Sequence, residues 1–309
     1  MEAALAHAVR DKVEAEEHMT HHHSLPKTLA ASLAMACLAG ALYTCQAGEP
    51  GQADAEEQNG AAEHAQGCPC SACLGRAAEH AQGAEGGEVR WSYEGDTGPD
   101  RWGGLDPSFE VCDRGVQQSP IDLAGAVPAG GGGLGIQWQP ADGEVVDNGH
   151  TIQVNMGAGS SITLEGRQFS LLQFHFHLPS EHTVEGRSYP MEVHFVHQAE
   201  EGDLAVIGVF IEAGHAHPAI QAIWDAIPGV DEAPAPLAGV DPNAFLPEGR
   251  GYFRYAGSLT TPPCSEVVSW VVMTEAIAAS QAQVDAFAAL YPMNARPVQP
   301  LHRRFVLMR

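Results

Sequence analysis

Two stretches of the chain carry its strongest structural signal: Gln173-Phe-His-Phe-His177 and Met191-Glu-Val-His-Phe-Val-His197. Side chains alternate between the two faces of an extended strand. Each stretch therefore predicts a β-strand with histidine on one face and mainly large apolar residues on the other. If the two strands are neighbours, the side chains of His175, His177 and His194 converge on one point.

Three converging imidazoles that leave a fourth position open are typical of catalytic zinc sites. A metal-bound imidazole normally donates its other ring N–H to an acceptor. Gln173 and Glu192 each lie two residues before a histidine of the trio, on the same strand face. A single histidine in an apolar strand is more often a core residue, but that alternative does not account for the doubled pattern. We therefore predict that His175, His177 and His194 bind Zn²⁺, with Gln173 and Glu192 orienting their rings.

The region around these stretches alternates short apolar runs with Gly- and Pro-rich turns, which is typical of a strand-rich domain. We predict strands over 151–155, 161–164, 170–177, 192–197, 204–211 and 266–273. Apolar residues recur near helical spacing in 217–226 and 279–289, which predicts two helices. The pattern as a whole predicts one β-dominated α+β domain.

The chain resembles the α-class carbonic anhydrases, and within them the bacterial, secreted or periplasmic type. The resemblance extends over residues 91–309 and includes, besides the histidine stretches, Trp91-Ser-Tyr93, Gln117-Gln-Ser-Pro-Ile-Asp122, Asp147-Asn-Gly-His150, Leu204-Ala-Val-Ile-Gly-Val-Phe210, Gly257-Ser-Leu-Thr-Thr-Pro-Pro263 and Asn294-Ala-Arg-Pro-Val-Gln-Pro-Leu301. It implies a single α+β domain with a large, twisted, mostly antiparallel central sheet and short peripheral helices. It also implies a zinc lyase that reversibly hydrates CO₂ to bicarbonate and a proton.

The resemblance further implies a reaction in which a zinc-bound hydroxide attacks CO₂. Thr260 would accept the hydrogen bond of that hydroxide and pass its own proton to an ionised Glu181. His150 would carry the released proton to bulk water, since an unperturbed imidazole has a pKa of about 6.5. Thr261 would help to position the substrate.

CO₂ is small and apolar, so we expect an apolar wall beside the metal. Val196 is predicted for this wall from spacing alone, because it lies two residues after His194 on the same face. The resemblance adds Val206, Leu259 and Trp270.

Three further contacts follow from the resemblance. The backbone carbonyl of Asn294 would hold His177, and Tyr93 would contribute to the water network of the site. Cys112 and Cys264 would form a disulfide, in keeping with an oxidising compartment.

The first part of the chain differs in composition from the rest. Residues 1–47 predict an N-terminal extension with a signal peptide, because the uncharged run 29–42 is too short for a membrane span, and we expect translation to begin at Met19. Residues 48–88 contain almost no large apolar residue, which predicts a disordered linker with a Cys/His tract. The catalytic domain would then occupy 89–309. We expect a periplasmic or secreted protein without stable membrane insertion after signal cleavage.

The formal net charge of −24 argues against nucleic acid as a partner, because nucleic acids are bound by positive surfaces. The expected partner is the small-molecule substrate, CO₂ or bicarbonate, and homodimerisation is left open. Two alternative functions remain. One is a zinc esterase that uses the same site. The other is a periplasmic zinc-binding or storage protein built around the cysteine tract 68–73, which would need no pairing of Glu181 with Thr260.

Overall fold

The computed structural model describes residues 89–309, except residues 132, 230 and 231. The predicted start at Met19, the signal peptide, the linker 48–88 and its cysteine tract 68–73 lie outside the described residues. Among the described residues, no helix has the length and apolar character needed to cross a membrane.

Thirteen strands form one mixed sheet in the described part of the chain. They are β1 (Val127–Pro128), β2 (Leu134–Gln137), β3 (Ala141–Asp147), β4 (Ile152–Met156), β5 (Ser161–Leu164), β6 (Arg167–His177), β7 (Met191–Gln198), β8 (Leu204–Ala213), β9 (Ala235–Val240), β10 (Tyr252–Gly257), β11 (Val268–Met273), β12 (Ile277–Ala279) and β13 (Leu307–Met308). The main row is β1-β13-β10-β11-β8-β7-β6-β4-β3-β9. Only β1 with β13, and β8 with β11 and β12, pair in parallel. The predicted large, mostly antiparallel sheet is confirmed.

The helices are few and short, as predicted. They are α1 (Trp102–Leu105), α2 (Val111–Arg114), α3 (Pro218–Trp224) and α4 (Gln281–Leu290). Short 3₁₀ turns occur at Gly95–Thr97, Pro99–Arg101, Pro107–Phe109 and Pro242–Phe245. In α3, Pro218 stands in the first turn, where its missing N–H costs no intrahelical hydrogen bond.

Several element boundaries predicted from the sequence differ from those in the structure: β6 begins at Arg167 and not at residue 170, and β8 ends at Ala213 and not at residue 211. Two further differences have a clear physical reason. The helix predicted over 279–289 begins only at Gln281, because Ala279 ends β12 and Ser280 forms a capping box with Gln283. The strand predicted from residue 266 begins at Val268. The carboxylate of Glu266 instead accepts hydrogen bonds from the loop residues 117 and 118, at 2.5 and 2.9 Å.

The two faces of the central strands contact different hydrophobic clusters. The first cluster is centred on Phe174, Phe176 and Phe195, which lie on the faces of β6 and β7 opposite the histidine trio. The second cluster includes Val206 and Trp270. Strand β8 is buried on both faces and contributes alternate residues to each cluster. The histidine trio therefore faces the side of the sheet that carries the second cluster.

His197 lies on the first-cluster face of β7, fully buried. Its Nε2 accepts a hydrogen bond from the indole N–H of Trp138 at 3.0 Å, and its Nδ1 lies 3.3 Å from the carbonyl oxygen of Ala205. Burial lowers the pKa of His197 to about 3, against the opposing effect of backbone hydrogen bonds. This imidazole is therefore neutral in the folded protein at neutral pH.

The pKa of His197 predicts a loss of stability in acid. Because the folded-state pKa lies below the unfolded value of about 6.5, the unfolded chain binds the extra proton, and stability falls as the pH drops from 6.5 towards 3. We expect His197→Gln to remove about 2 kcal/mol of the wild-type stability loss between pH 6 and pH 4. Urea unfolding of the zinc-loaded proteins at both pH values measures this difference. Identical pH dependence in the two proteins would contradict the assignment.

The predicted disulfide is present. Cys112, in α2, is bonded to Cys264, with their Cα atoms 5.0 Å apart. The bond lies in a small third cluster with the buried Trp102. Just before Cys264 in the chain is the segment that contains Thr260 and Thr261, and the N–H of Cys264 donates to the carbonyl of Thr261 at 2.9 Å. The disulfide thus ties this segment to the N-terminal part of the domain.

Candidate metal centre

The pairing of β6 with β7 brings the three predicted histidines together. His175 and His194 are directly opposite each other in the antiparallel register. His177 stands one strand repeat further along β6, and its ring centroid lies 4.5 Å from that of His194. One ring nitrogen from each histidine lies within 4.8 Å of the other two. The three side chains could therefore hold a single metal ion.

Each of the three rings has an acceptor behind it. The side-chain oxygen of Gln173 lies 2.9 Å from Nδ1 of His175, and the carbonyl oxygen of Asn294 lies 2.8 Å from Nδ1 of His177. A carboxylate oxygen of Glu192 lies 3.0 Å from Nε2 of His194, in a close contact without hydrogen-bond geometry. These are the three residues that the sequence and the resemblance indicated as acceptors. Because an acceptor fixes the proton on the nitrogen facing it, the opposite nitrogen keeps a free lone pair.

Two of these opposite nitrogens make no hydrogen bond with any described residue. Nε2 of His177 and Nδ1 of His194 are buried and have no hydrogen-bond partner among the described residues, and both side chains are 1% exposed. A buried polar atom without a partner is costly unless something else satisfies it. Metal coordination satisfies such nitrogens, so the residues present fit a metal ion.

The protonation states also suit a metal. Burial lowers the pKa of His175 well below its usual value, and the charges of the other two histidines lower it further. Burial likewise lowers the pKa of His177. Imidazole ligates metals in its neutral form. Both rings are therefore ready to bind without first losing a proton.

Glu192 is the buried anion of the site. Burial alone would raise its pKa, but the charges and hydrogen bonds of His182 and His194 outweigh this effect and hold the pKa well below its usual value. One carboxylate oxygen accepts the backbone N–H groups of Glu181 and His182, at 3.0 and 2.9 Å. Gly208, opposite His194 on β8, leaves room for it, because a Cβ there would lie 2.7 Å from the other carboxylate oxygen.

His182 is a site residue that the sequence analysis missed. Its Nδ1 lies 2.8 Å from a carboxylate oxygen of Glu192, and its Nε2 lies 2.6 Å from the hydroxyl of Tyr255, which donates to Ser119 at 2.9 Å. This buried chain fixes the same carboxylate oxygen of Glu192 that lies beside His194. The only sequence signal for His182 was its position directly after Glu181.

Glu181 lies beside the orphaned nitrogens. It is 2% exposed, and one carboxylate oxygen accepts the backbone N–H of Arg296 at 2.8 Å. The other oxygen lies 3.5 Å from Nε2 of His177 and 3.7 Å from Nδ1 of His194, and it accepts no hydrogen bond from any described residue. The hydrogen bond expected between Thr260 and Glu181 is therefore not formed in this structure. The free oxygen instead faces these two imidazole nitrogens.

Three of the four residues predicted for an apolar wall lie in one row. Val196, Val206 and Trp270 are cross-strand neighbours on β7, β8 and β11. They pack in the second cluster together with Leu259, and the ring of Trp270 lies 4.8 Å from that of His194. Thr260, which is 6% exposed, directly follows Leu259 in the chain.

The remaining predicted residues surround the centre. His150 lies in the turn between β3 and β4, and its ring stacks on Trp91 with centroids 3.8 Å apart. Thr261 is partly exposed in the segment before the disulfide. Burial, and then the charge of Glu181, raise the pKa of Tyr93 well above its usual value, so its hydroxyl stays protonated.

The fold and the site together define the class: a sheet-based protein with a candidate three-histidine metal centre on its central strands. Residues 97–309 match the protein family described as eukaryotic-type carbonic anhydrase. The chain belongs to this family, and the family predicted from the sequence is confirmed.

Several similar proteins carry the same name. A carbonic anhydrase from Nostoc sp. is 46% identical over 227 residues, which cover 71% of this chain and 86% of that protein. A carbonic anhydrase from Pectobacterium carotovorum is 40% identical over 221 residues, which cover 71% of this chain and 91% of that protein. The structure of the α-carbonic anhydrase from Thermovibrio ammonificans, in complex with the inhibitor sulfanilamide, has a TM-score of 0.68 and 44% identity. The match covers 72% of this chain and 100% of the Thermovibrio ammonificans chain.

Proposed function

We propose that this protein catalyses the reversible hydration of CO₂ to bicarbonate and a proton, with Zn²⁺ held by His175, His177 and His194. The observation that carries the proposal is the pair of buried, unpartnered nitrogens on His177 and His194, within 4.8 Å of a nitrogen of His175. The carbonic anhydrase relatives support the reaction. When bound, Zn²⁺ lowers the pKa of a water ligand to about 7, an effect for which carbonic anhydrases are themselves the standard example.

The residues behind the histidines set their orientation and charge. Gln173 and Asn294 keep the protons of His175 and His177 on Nδ1, so that Nε2 of each ring faces the centre. Glu192 lies 3.0 Å from Nε2 of His194 and adds a negative charge beside that ring. We assign these three as positioning residues for the ligands.

Thr260 and Glu181 orient the attacking oxygen in this proposal. The hydroxyl of Thr260 accepts a hydrogen bond from the nucleophile, which aims a lone pair at the substrate carbon. For its lone pair to face the nucleophile, Thr260 must direct its own O–H, as a hydrogen-bond donor, to a carboxylate, and Glu181 is the buried carboxylate beside the centre. This orienting role is assigned from membership of the carbonic anhydrase family, because Thr260 and Glu181 are not hydrogen-bonded to each other in this structure.

The substrate lies against the row formed by Val196, Val206 and Trp270, with Leu259 beside it. An apolar wall favours CO₂, which has no net dipole, over water at the same position. Thr261, next to Thr260, positions the substrate and the bicarbonate product. The proposed partner is therefore this small molecule.

His150 carries the proton from the centre to bulk water. We expect His150→Ala to lower kcat about tenfold or more in weakly buffered solution, because a positioned proton-transfer group contributes roughly 100-fold or more. The ratio kcat/KM should stay unchanged, and added imidazole should restore kcat. Stopped-flow hydration assays with and without imidazole measure this effect. An unchanged kcat, or a loss that imidazole does not rescue, would remove His150 from the mechanism.

The proposed function is tested by adding Zn²⁺ stepwise to the metal-free full-length protein and measuring CO₂ hydration at each step. We expect turnover to rise with the added zinc until the site is filled and then to remain constant. Zinc binding without turnover would overturn the proposal and would favour zinc storage. We further propose a periplasmic or secreted location, which the disulfide supports.

A further inference from the structure

The turn that carries His150 is tied down by its own residues. It joins β3 to β4, and the side-chain oxygen of Asn148 accepts the backbone N–H groups of His150 and Thr151, at 3.0 and 2.9 Å. Gly149 has a φ of 79°, a left-handed conformation that favours glycine. The backbone of the turn is therefore locally fixed, but these contacts do not fix its position relative to the rest of the domain.

A second set of contacts ties the turn to the end of α4. Tyr291 directly follows this helix, and its hydroxyl donates a hydrogen bond to the carboxylate of Asp147, the last residue of β3. The same carboxylate oxygen accepts the N–H of Gly149 at 3.1 Å. The ring of Tyr291 packs against Phe287 of α4, with centroids 5.7 Å apart. Tyr291 thus links the His150 turn to the packed side of the helix.

The segment that begins at Tyr291 also contacts the metal centre. Three residues later, the side-chain amide of Asn294 donates to the carbonyl of His150 at 3.0 Å and to that of Phe176 at 2.9 Å. The backbone carbonyl of Asn294 holds Nδ1 of His177. One short segment therefore contacts both the His150 turn and a proposed metal ligand.

We propose that Tyr291 and Asp147 form a positioning pair that holds the His150 turn at a fixed distance from the metal centre. The inference rests on the proposed function, because it assigns the pair to the proton transfer through His150. Proton transfer needs its donor and acceptor within about 2.6–3.2 Å of each other or of one bridging water, so small displacements of the turn reduce the productive fraction. Neither residue contacts the reacting atoms, and neither is needed for the hydration step itself.

The decisive variant is Tyr291→Phe, which keeps the ring and removes the hydroxyl. In the zinc-loaded full-length protein we expect kcat in weak buffer to fall about three- to tenfold, a part of the effect of removing the transfer group. The ratio kcat/KM should stay at the wild-type value, since it reports the steps up to CO₂ conversion. Added imidazole should restore kcat.

Three further variants test the pairing. Asp147→Asn keeps an acceptor oxygen and should behave like the wild type. Asp147→Ala should lose at least as much as Tyr291→Phe, because it also removes the acceptor of the Gly149 N–H. The double variant Asp147→Ala/Tyr291→Phe should lose no more than Asp147→Ala alone, because both changes remove the contact between Tyr291 and Asp147. Tyr189→Phe is the matched control, since it removes the hydroxyl of a tyrosine that stacks on Phe210 in the second cluster.

Two results would overturn the inference. One is an unchanged kcat in Tyr291→Phe, and the other is an equal fall in kcat and kcat/KM without imidazole rescue, which would indicate a purely structural role. The variant His150→Ala separates this inference from the proposed function. If His150→Ala lowers kcat and Tyr291→Phe does not, only the positioning pair is wrong. If His150→Ala leaves kcat unchanged, the proton-transfer role of His150 is wrong.

Discussion

His194→Ala is expected to lose bound zinc and to lower kcat/KM for CO₂ hydration about a thousandfold or more. The variant leaves only two imidazoles where a catalytic zinc normally has three protein ligands. Without the metal charge, water is no longer ionised near pH 7, and the main source of nucleophile is lost. Metal analysis and stopped-flow hydration on the same preparation measure both effects.

The matched control for this variant is His215→Ala. His215 is exposed and lies in the loop before α3, outside the trio. It should keep both zinc and turnover. If His194→Ala retained full zinc and wild-type turnover, the assignment of the metal centre would be wrong. Equal losses in His215→Ala would show that the assay reports general damage.

Thr260→Ala is expected to lower kcat/KM about 100-fold while zinc remains bound. The loss of one hydrogen-bonding group that acts on the transition state typically costs about 100- to 1000-fold in rate. The ligands and the residues behind them are unaffected, so zinc content should match that of the wild type. A loss of rate with retained metal separates orientation of the nucleophile from metal binding.

Thr260→Ser provides the control, because it keeps the hydroxyl and removes only a methyl group. We expect it to retain most of the activity. If Thr260→Ala were as active as the wild type, the orienting role of Thr260 would be excluded. If Thr260→Ser were as impaired as Thr260→Ala, packing of the methyl group would explain the effect better than the hydrogen bond.

The local part of the site could be predicted from the sequence because it follows from strand geometry. Alternation along β6 and β7 places His175, His177 and His194 on one face, and the same rule puts Gln173 and Glu192 beside them. The apolar runs also predicted most of the central strands. These features depend on residues only a few positions apart, so they can be predicted from the local sequence.

The rest depends on contacts between distant segments. Asn294 meets His177 and the His150 turn only through the path of the chain after α4, and the sequence indicated it by resemblance alone. His182 is fixed by Tyr255 on β10, and through Tyr255 by Ser119 in the loop before β1. The parallel pairing of β8 with β11, which aligns Val206 with Trp270, has no local signal. The sequence predicts Ala279 as the start of a helix, but in the structure it is a strand residue, because its pairing with β8 outweighs the helix propensity of alanine.

The central claim is that CO₂ is hydrated at the zinc centre formed by His175, His177 and His194. It is tested most directly by stopped-flow CO₂ hydration of the full-length protein before chelation, after chelation and after Zn²⁺ is added back. We predict rapid hydration, its loss in the metal-free protein and its recovery with zinc. Hydration no faster than the uncatalysed rate in the zinc-loaded protein, or hydration that persists after complete removal of the metal, would contradict the claim.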